Sequence, residues 1–356
     1  MPRPSSPPPV YELHTQNHDP PASPSEGSES SEPQRVHELW FEDGNIVIRA
    51  GNSLYRVYRG ALANRSSVFQ DMLSFPQPPT SELVEGCPFV ELPDSELEVT
   101  PFLRAIFEPE FFMPFPAATE FDAVVGCLRL SHKYQVDYLR RRALVHFSSG
   151  YPTRLSKFDL INRYLPEHEP SELEKQSWSI PEDSISRMRA ILIAREVDAP
   201  WILPRAFYTL AVNFDKLGMA VFNGAVYKGV ETRLSEQDQT SFLKGYDIQR
   251  KATVDALGFL SHPLDIQGCR HTSQCDLERL KGIEFSRQYL RDYPASALYI
   301  WEWSDWDFLR HVCPSCTTVL KKTYQDAREA FWNRLPEIYD VAPWDVLEQL
   351  KTTALG

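Results

Sequence analysis

Phosphate-binding glycine loops, bilayer-crossing runs and a disulfide framework are all missing from this chain. Only 15 of its 356 residues are glycine, and neither Gly-x-Gly-x-x-Gly nor Gly-x4-Gly-Lys-Ser/Thr occurs, which removes the common nucleotide-binding loops. His-Glu-x-x-His and Gly-x-Ser-x-Gly are absent too, so the usual zinc-hydrolase and serine-hydrolase signatures fall away. Glutamates and histidines are scattered without a pairing that reads as general acid and base. The expectation is a protein that is not an enzyme. No apolar run approaches the roughly 18 residues needed to cross a bilayer, and the Pro/Ser-rich start carries no apolar signal segment, so the expected compartment is cytoplasm or nucleus. Positive charge is scarce: 37 Lys and Arg stand against 49 Asp and Glu, a net charge of −12. That field repels a phosphate backbone and disfavours nucleic acid as a partner. The one dense basic run, Arg140-Arg141-Arg142, fans over several faces of a helix and reads as solvated surface.

What is present can fold. With 42% hydrophobic residues the chain buries a sizeable core, and its length predicts two folded domains. Residues 1–37 hold nine of the 29 prolines, many serines and almost nothing apolar between Leu13 and Val36; such a stretch cannot offset its ordering entropy and is expected to be a disordered tail. Order is expected from Leu39-Trp40-Phe41. Ile46-Val47-Ile48 and Leu54-Tyr55-Arg56-Val57, separated by Ala50-Gly51-Asn52-Ser53, predict a β-hairpin. Two short helices follow, the second capped by Ser66 and ending before Pro76. A proline-rich loop from Pro76 to Glu85 leads to the strand Phe89-Val90-Glu91-Leu92. Apolar stripes then predict a helix held to a late start by Pro101, a helix through Phe121, Val124, Val125 and Leu128, and a helix through Leu139, Ala143, Leu144 and Phe147 capped by Asp137.

This ordered series resembles the BTB/POZ family. The residues that carry the resemblance are Gly44 to Ile48, Leu54 to Arg59, Leu62 to Phe69, Met72-Leu73, Val90-Glu91-Leu92-Pro93-Asp94 and Leu130 to Val136. Two segments depart from the family pattern: Tyr58-Arg59 stands where a His-Lys pair is usual, and Phe107 to Phe112 replaces a Tyr-Thr-Gly segment. The arrangement with its proline-rich insert, and the later Phe331 to Ile338 segment, is similar to the BTB proteins that are numerous in mushroom-forming fungi. The resemblance implies an α+β fold over residues 38–150, self-association through the BTB domain, and in some members docking of a cullin scaffold for ubiquitin transfer. In cullin binders an apolar-x-Glu motif precedes the returning strand; Leu83-Val84-Glu85 lies there, with a solvated loop glutamate as the competing reading. Trp40, Phe41 and Phe111-Phe112-Met113-Pro114-Phe115 are candidates for an apolar partner surface or for burial within the domain.

Beyond the module, residues 151–183 read as a helical extension and an exposed acidic link, and residues 184–356 as a helical domain with boundaries marked by Pro200 and Pro204. Trp301, Trp303 and Trp306, flanked by Glu302, Asp305 and Asp307, fit core packing or a covered metal knuckle better than base stacking. The six cysteines are too few for a disulfide scaffold. Four of them, Cys269, Cys275, Cys313 and Cys316, fall in two close pairs, the one metal-ligand constellation in the chain; with His271 and His311 beside them, they could enclose one structural zinc. Burial as small apolar groups is the alternative, and a thiol-redox role for Cys313-Pro-Ser-Cys316 at a helix start is another.

The expected function is therefore protein-protein interaction, an adaptor acting through the BTB module. A BTB-type transcriptional regulator is the alternative, although no DNA-reading finger or basic stripe is present; a metal or thiol-redox protein is a second one.

Overall fold

Short β-branched runs at the start of the chain build a five-stranded sheet, ordered β1-β3-β2-β5-β4, from β1 (Gln34–Trp40), β2 (Ile46–Ala50), β3 (Ser53–Val57), β4 (Leu83–Val84) and β5 (Cys87–Leu92). The computed structural model describes residues 32–75, 83–162, 177–179, 181, 185–261 and 266–356. Residues 1–31 of the tail expected over 1–37, most of the expected proline-rich loop and most of the acidic link lie outside the described residues. β2 and β3 form the expected hairpin, with Ile46 opposite Val57 and Ala50 opposite Ser53. β5 returns parallel to β2, and β1 lies parallel to β3. The first strand starts at Gln34, inside the stretch assigned to the tail, because Val36 and Leu39 pack on the core. Leu83-Val84 is likewise an edge strand rather than a loop. Glu85 and Gly86, at φ of 52° and 77°, put the positive φ of a tight hairpin turn between Val84 and Cys87.

Four helices cover this sheet before the chain reaches its helical hairpin partner: α1 (Arg59–Arg65), α2 (Ser67–Ser74), α3 (Glu96–Phe107) and α4 (Phe121–Lys133), followed by α5 (Asp137–Ser149). Ser66 caps α2 as expected, its hydroxyl accepting from the Phe69 N–H at 2.9 Å. Pro101 does not delay α3. Ser95 caps the helix upstream, and Glu96 and Glu98 in its first turn suit the positive end of the helix dipole, so Pro101 lies inside. Asp137 is not the cap of α5 either; Val136 occupies that position and Asp137 is the first helical residue. Of the three consecutive arginines of α5, read as solvated surface, Arg141 is exposed while Arg140 and Arg142 are half-buried. Successive helical side chains point about 100° apart, and here each guanidinium meets a different backbone oxygen: Arg140 donates to Val197 O at 3.2 Å, Arg141 to Leu355 O at 2.8 Å and Arg142 to Phe112 O at 2.7 Å.

The second half continues with α6 (Leu155–Ile161), α7 (Ile185–Glu196), a 3-10 turn over Pro200–Ile202, α8 (Leu203–Val212), α9 (Phe214–Leu217) and α10 (Ala220–Asn223). The two prolines mark the boundaries expected of them. A hairpin that the helical reading omitted follows, β6 (Ala225–Tyr227) and β7 (Val230–Thr232), turned by Lys228 and Gly229 at φ of 45° and 84°. Then come α11 (Glu236–Ala256), α12 (Gly258–Ser261), α13 (Thr272–Asp292), α14 (Pro314–Ile338) and α15 (Trp344–Leu355). One apolar core runs from Leu39 to Leu347, across residues 150 and 184 without interruption. A smaller core gathers Phe259, Leu260, Trp301, Leu309, Leu320 and Tyr324. The segment read as an exposed link is anchored where it is described: Trp178 is buried, stacks on Phe147 and donates to His146 O at 2.6 Å.

Three buried polar groups tie the helices together through partners from distant elements. Glu98 of α3 accepts from Arg129 of α4 and from Arg189 of α7, and Arg129 reaches on to Glu196 at 2.8 Å. Arg328 of α14, fully buried, donates to Leu298 O at 2.6 Å and pairs with Asp159 of α6. Gln249 of α11 donates to Ala295 O at 2.5 Å and accepts from the Tyr339 hydroxyl at 2.7 Å. This last contact needs Gly245: a Cβ there would lie 2.2 Å from the Tyr339 ring, which is itself stacked on Phe207.

Removing one partner of a buried ion pair leaves the other charge uncompensated, at a cost of about 3–5 kcal/mol. Glu98→Ala is expected to lower stability to urea by an amount in that range, and a loss below about 1 kcal/mol would contradict the role given to this carboxylate. His146 gives a second expectation. Its Nε2–H donates to Met113 O at 2.8 Å, leaving Nδ1 to accept from Ser177 at 2.8 Å, and burial holds its pKa below the ordinary 6.5. The unfolded chain therefore binds this proton more readily. The contribution is present above the unfolded value and is lost as pH falls from there toward the folded midpoint. An NMR titration is expected to place that midpoint below 6.5; a value at or above it contradicts the assignment.

Candidate metal centre

Three local structures bring the late cysteines together. Gly268, at φ 84°, takes the left-handed conformation that glycine adopts without strain and turns the chain into Cys269, whose N–H donates to Ile266 O at 3.1 Å. Cys275 lies in the first turn of α13. Cys313 is the N-cap of α14, with Pro314 in the first helical position, suited to a residue with no N–H to offer. Cys316 sits one turn later on the same helix.

The four sulfurs lie within 4.8 Å of one another. Cys269 Sγ is 3.9 Å from Cys275 Sγ and 4.0 Å from Cys313 Sγ. Tetrahedral zinc with bonds of about 2.3 Å sets its sulfurs about 3.8 Å apart, and these two separations lie close to that value. The Cys313 N–H donates to Cys275 Sγ at 3.4 Å, a contact that orients the sulfur as an acceptor. Cys275 and Cys316 are buried in the smaller core, while Cys269 and Cys313 are half-buried at its edge. Electrostatics separate the two thiols of the second pair. The Cys316 N–H at the start of α14 pulls the Cys313 thiol down to about 7, whereas burial raises Cys275 and Cys316. The four cysteines could therefore hold a metal ion, and with all four positions filled by thiolates no site remains for a reactive water.

The neighbouring histidines stay out of the cluster. His271 is exposed at the N-cap of α13, and His311 is exposed with its Nε2 accepting from Arg310 at 3.2 Å. The tryptophans divide. Trp301 is fully buried, edge-on to Phe259 at 5.4 Å, and its backbone N–H donates to the Tyr324 hydroxyl at 3.1 Å. Trp303 is 43% exposed, with the Lys321 ammonium 4.5 Å from its ring centre. The sequence signal that carried the site was the cysteine spacing; Gly268, whose backbone sets the first knuckle, was not singled out.

The other proposed contact residues lie on the sheet. Leu83 is 61% exposed, Val84 is half-buried, and the Glu85 carboxylate is engaged by Arg35 and, at 3.6 Å, by Arg56. Phe41 stacks on Tyr58 at 5.0 Å, and Trp40 lies beneath the Arg35 guanidinium at 4.6 Å. Of the aromatic loop, Phe112 is buried against His146 and Met113 is exposed.

No family model, curated protein or solved structure matches this chain.

Proposed function

We propose that the chain is a non-catalytic protein-interaction adaptor built on a BTB/POZ module, with one structural zinc bound by Cys269, Cys275, Cys313 and Cys316 fixing its smaller core. The observation that supports the adaptor reading is the order of elements: a strand hairpin, two short helices, a strand returning parallel to β2, then α3 and the α4–α5 hairpin. The segments that carry the resemblance fall on these elements in the same order. β1 and β4 form the two edges of the sheet, and an edge strand offers unpaired backbone groups to another chain. Leu83, on β4, is the exposed apolar residue of the cullin-type motif, and Glu85 is held by two arginines beside it.

The adaptor reading is tested with the full chain and a purified cullin N-terminal domain. Light scattering is expected to show either a dimer or a cullin complex, the latter weakened by Leu83→Asp. A strict monomer that does not bind the cullin overturns the proposal.

Zinc is the metal the site chemistry favours, because four thiolates in a closed tetrahedral set are a typical structural zinc site. Metal analysis of the purified protein is expected to give one tightly held zinc per chain, lost in Cys275→Ser and Cys316→Ser and kept in Cys87→Ser. A thiol-redox role is favoured by one observation, the low Cys313 pKa at a helix N-terminus. Zinc-free protein with a reactive Cys313 thiol would select that reading instead.

A further inference from the structure

A cavity of about 350 Å³ opens where α5, α6 and α15 meet. It lies on the main core, away from the cysteine cluster in sequence and in packing, and the inference drawn from it is independent of the adaptor reading. Its charge runs against that of the molecule. The chain carries a net −12, yet Arg154, Lys157 and Lys351 all line this one cavity, with Glu348 the single carboxylate among them. Among the described residues neither Arg154 nor Lys157 forms an ion pair, which leaves a formal excess of two positive charges on the lining; Arg154 also lines an adjoining cavity with Asp159 and Glu329.

Glu348 is already committed. It accepts from the Thr153 hydroxyl, and that hydroxyl oxygen accepts from Lys351 Nζ at 3.4 Å. An ammonium has three protons to donate, so this single long contact leaves most of the donor capacity of Lys351 unused. Burial lowers the Lys351 pKa, and the Lys157 and Arg154 charges act in the same direction against Glu348. Packing a partly buried lysine beside two other cations is unfavourable unless an anion joins them. Phe115, Val145, Ile161 and Leu355 give the cavity an apolar side, and the hydroxyls of Ser148, Ser149 and Thr153 also line it. The cavity thus offers a cationic pole and an apolar side, the combination that orients a small ligand.

We propose that this cavity binds a small organic phosphate monoester, its phosphate held by Arg154, Lys157 and Lys351 and its organic group set against Phe115, Val145 and Leu355. A phosphate monoester near pH 7 carries close to two negative charges, which matches the local excess, and its three terminal oxygens suit guanidinium and ammonium donors together. The volume falls at the lower end of the roughly 300–1,000 Å³ range of small-molecule sites, which excludes a nucleotide-sized ligand from full enclosure.

Phenyl phosphate is the probe, titrated calorimetrically into the full chain at constant ionic strength. Saturable one-to-one binding is expected, weakened by about tenfold or more in the Arg154→Ala/Lys157→Ala double variant and retained in Lys157→Arg, which keeps the charge. Both altered side chains are exposed, and circular dichroism of each variant checks that the fold is unchanged. Absence of saturable heat, or equal affinity in the double variant, overturns the site. Inorganic phosphate binding as tightly as phenyl phosphate overturns the part given to the apolar wall. A phosphoserine peptide binding more tightly than phenyl phosphate overturns the small-molecule assignment in favour of a protein ligand.

Discussion

Glu98 is a carboxylate with almost no access to water, and the arrangement of the helices around the sheet follows from the need to compensate it. A buried carboxylate is costly unless hydrogen-bonded and paired. Here the partners come from α4 and α7, so the charge is satisfied only when the last helix pair of the β-containing module and the first long helix beyond residue 184 are both in place. Arg129 extends the network to Asp94 at 3.7 Å and to Glu196, and Lys133 and Tyr134 reach Asp94 at 2.7 and 2.6 Å. Apolar contact alone would let α7 slide over α4 at little cost. The directional bonds to one carboxylate select a single docking geometry, which explains why the main core passes through this junction without a seam.

The sheet and its first helices were legible because local chemistry decides them. The β2–β3 hairpin follows from β-branched runs around a turn, and Ser66 satisfies α2's first donors in the way its position predicts. The misreadings are cases where a local rule met a stronger one. Pro101 disfavours a helix interior, but Ser95 and two first-turn acids had already started α3 upstream. Leu83-Val84-Glu85 reads as the end of the proline-rich loop because a two-residue strand leaves too short a pattern to see, although Glu85-Gly86 between Val84 and Cys87 is the chemistry of a hairpin turn. Lys228-Gly229 repeats it between β6 and β7. Arg140, Arg141 and Arg142 illustrate the limit of reading charge from sequence: three adjacent cations look like a solvated face, and only the tertiary fold places a separate carbonyl in the path of each.

The cysteine quartet was legible in membership and not in geometry. Spacing named the four residues, because few other structures need two close cysteine pairs in a chain with so few cysteines. It left the histidines as alternatives, since either lies close enough in sequence to serve. Their exclusion is a consequence of direction: His271 stands exposed at the N-cap position of α13 while Cys275, four residues on, turns inward to the small core. The separation of 37 intervening residues between the pairs, long for a ribbon, is taken up by α13 and the segment carrying Trp301, so the pairs meet through a helix-sized excursion.

That excursion has an energetic consequence for the cluster. The core containing Trp301, Leu309, Leu320 and Tyr324 is separate from the main one, and a small core buries too little apolar surface to hold a long excursion by itself. Its neighbours supply only part of the difference. Arg279 donates to Phe259 O at 3.2 Å, and Glu302 and Asp305 cap the short turn before α14. The sulfurs lie at the junction where the start of α13 and the start of α14 converge, so a cross-link there ties α13, which packs in the smaller core, to the end of α14 farthest from its anchorage at Phe331, Trp332 and Leu335 on the main core. Placing it anywhere along the helices would restrain less chain. The four thiols therefore stand where a metal would join the two helix starts, whereas a redox pair of Cys313 with Cys316 would set a half-buried thiol against a buried one.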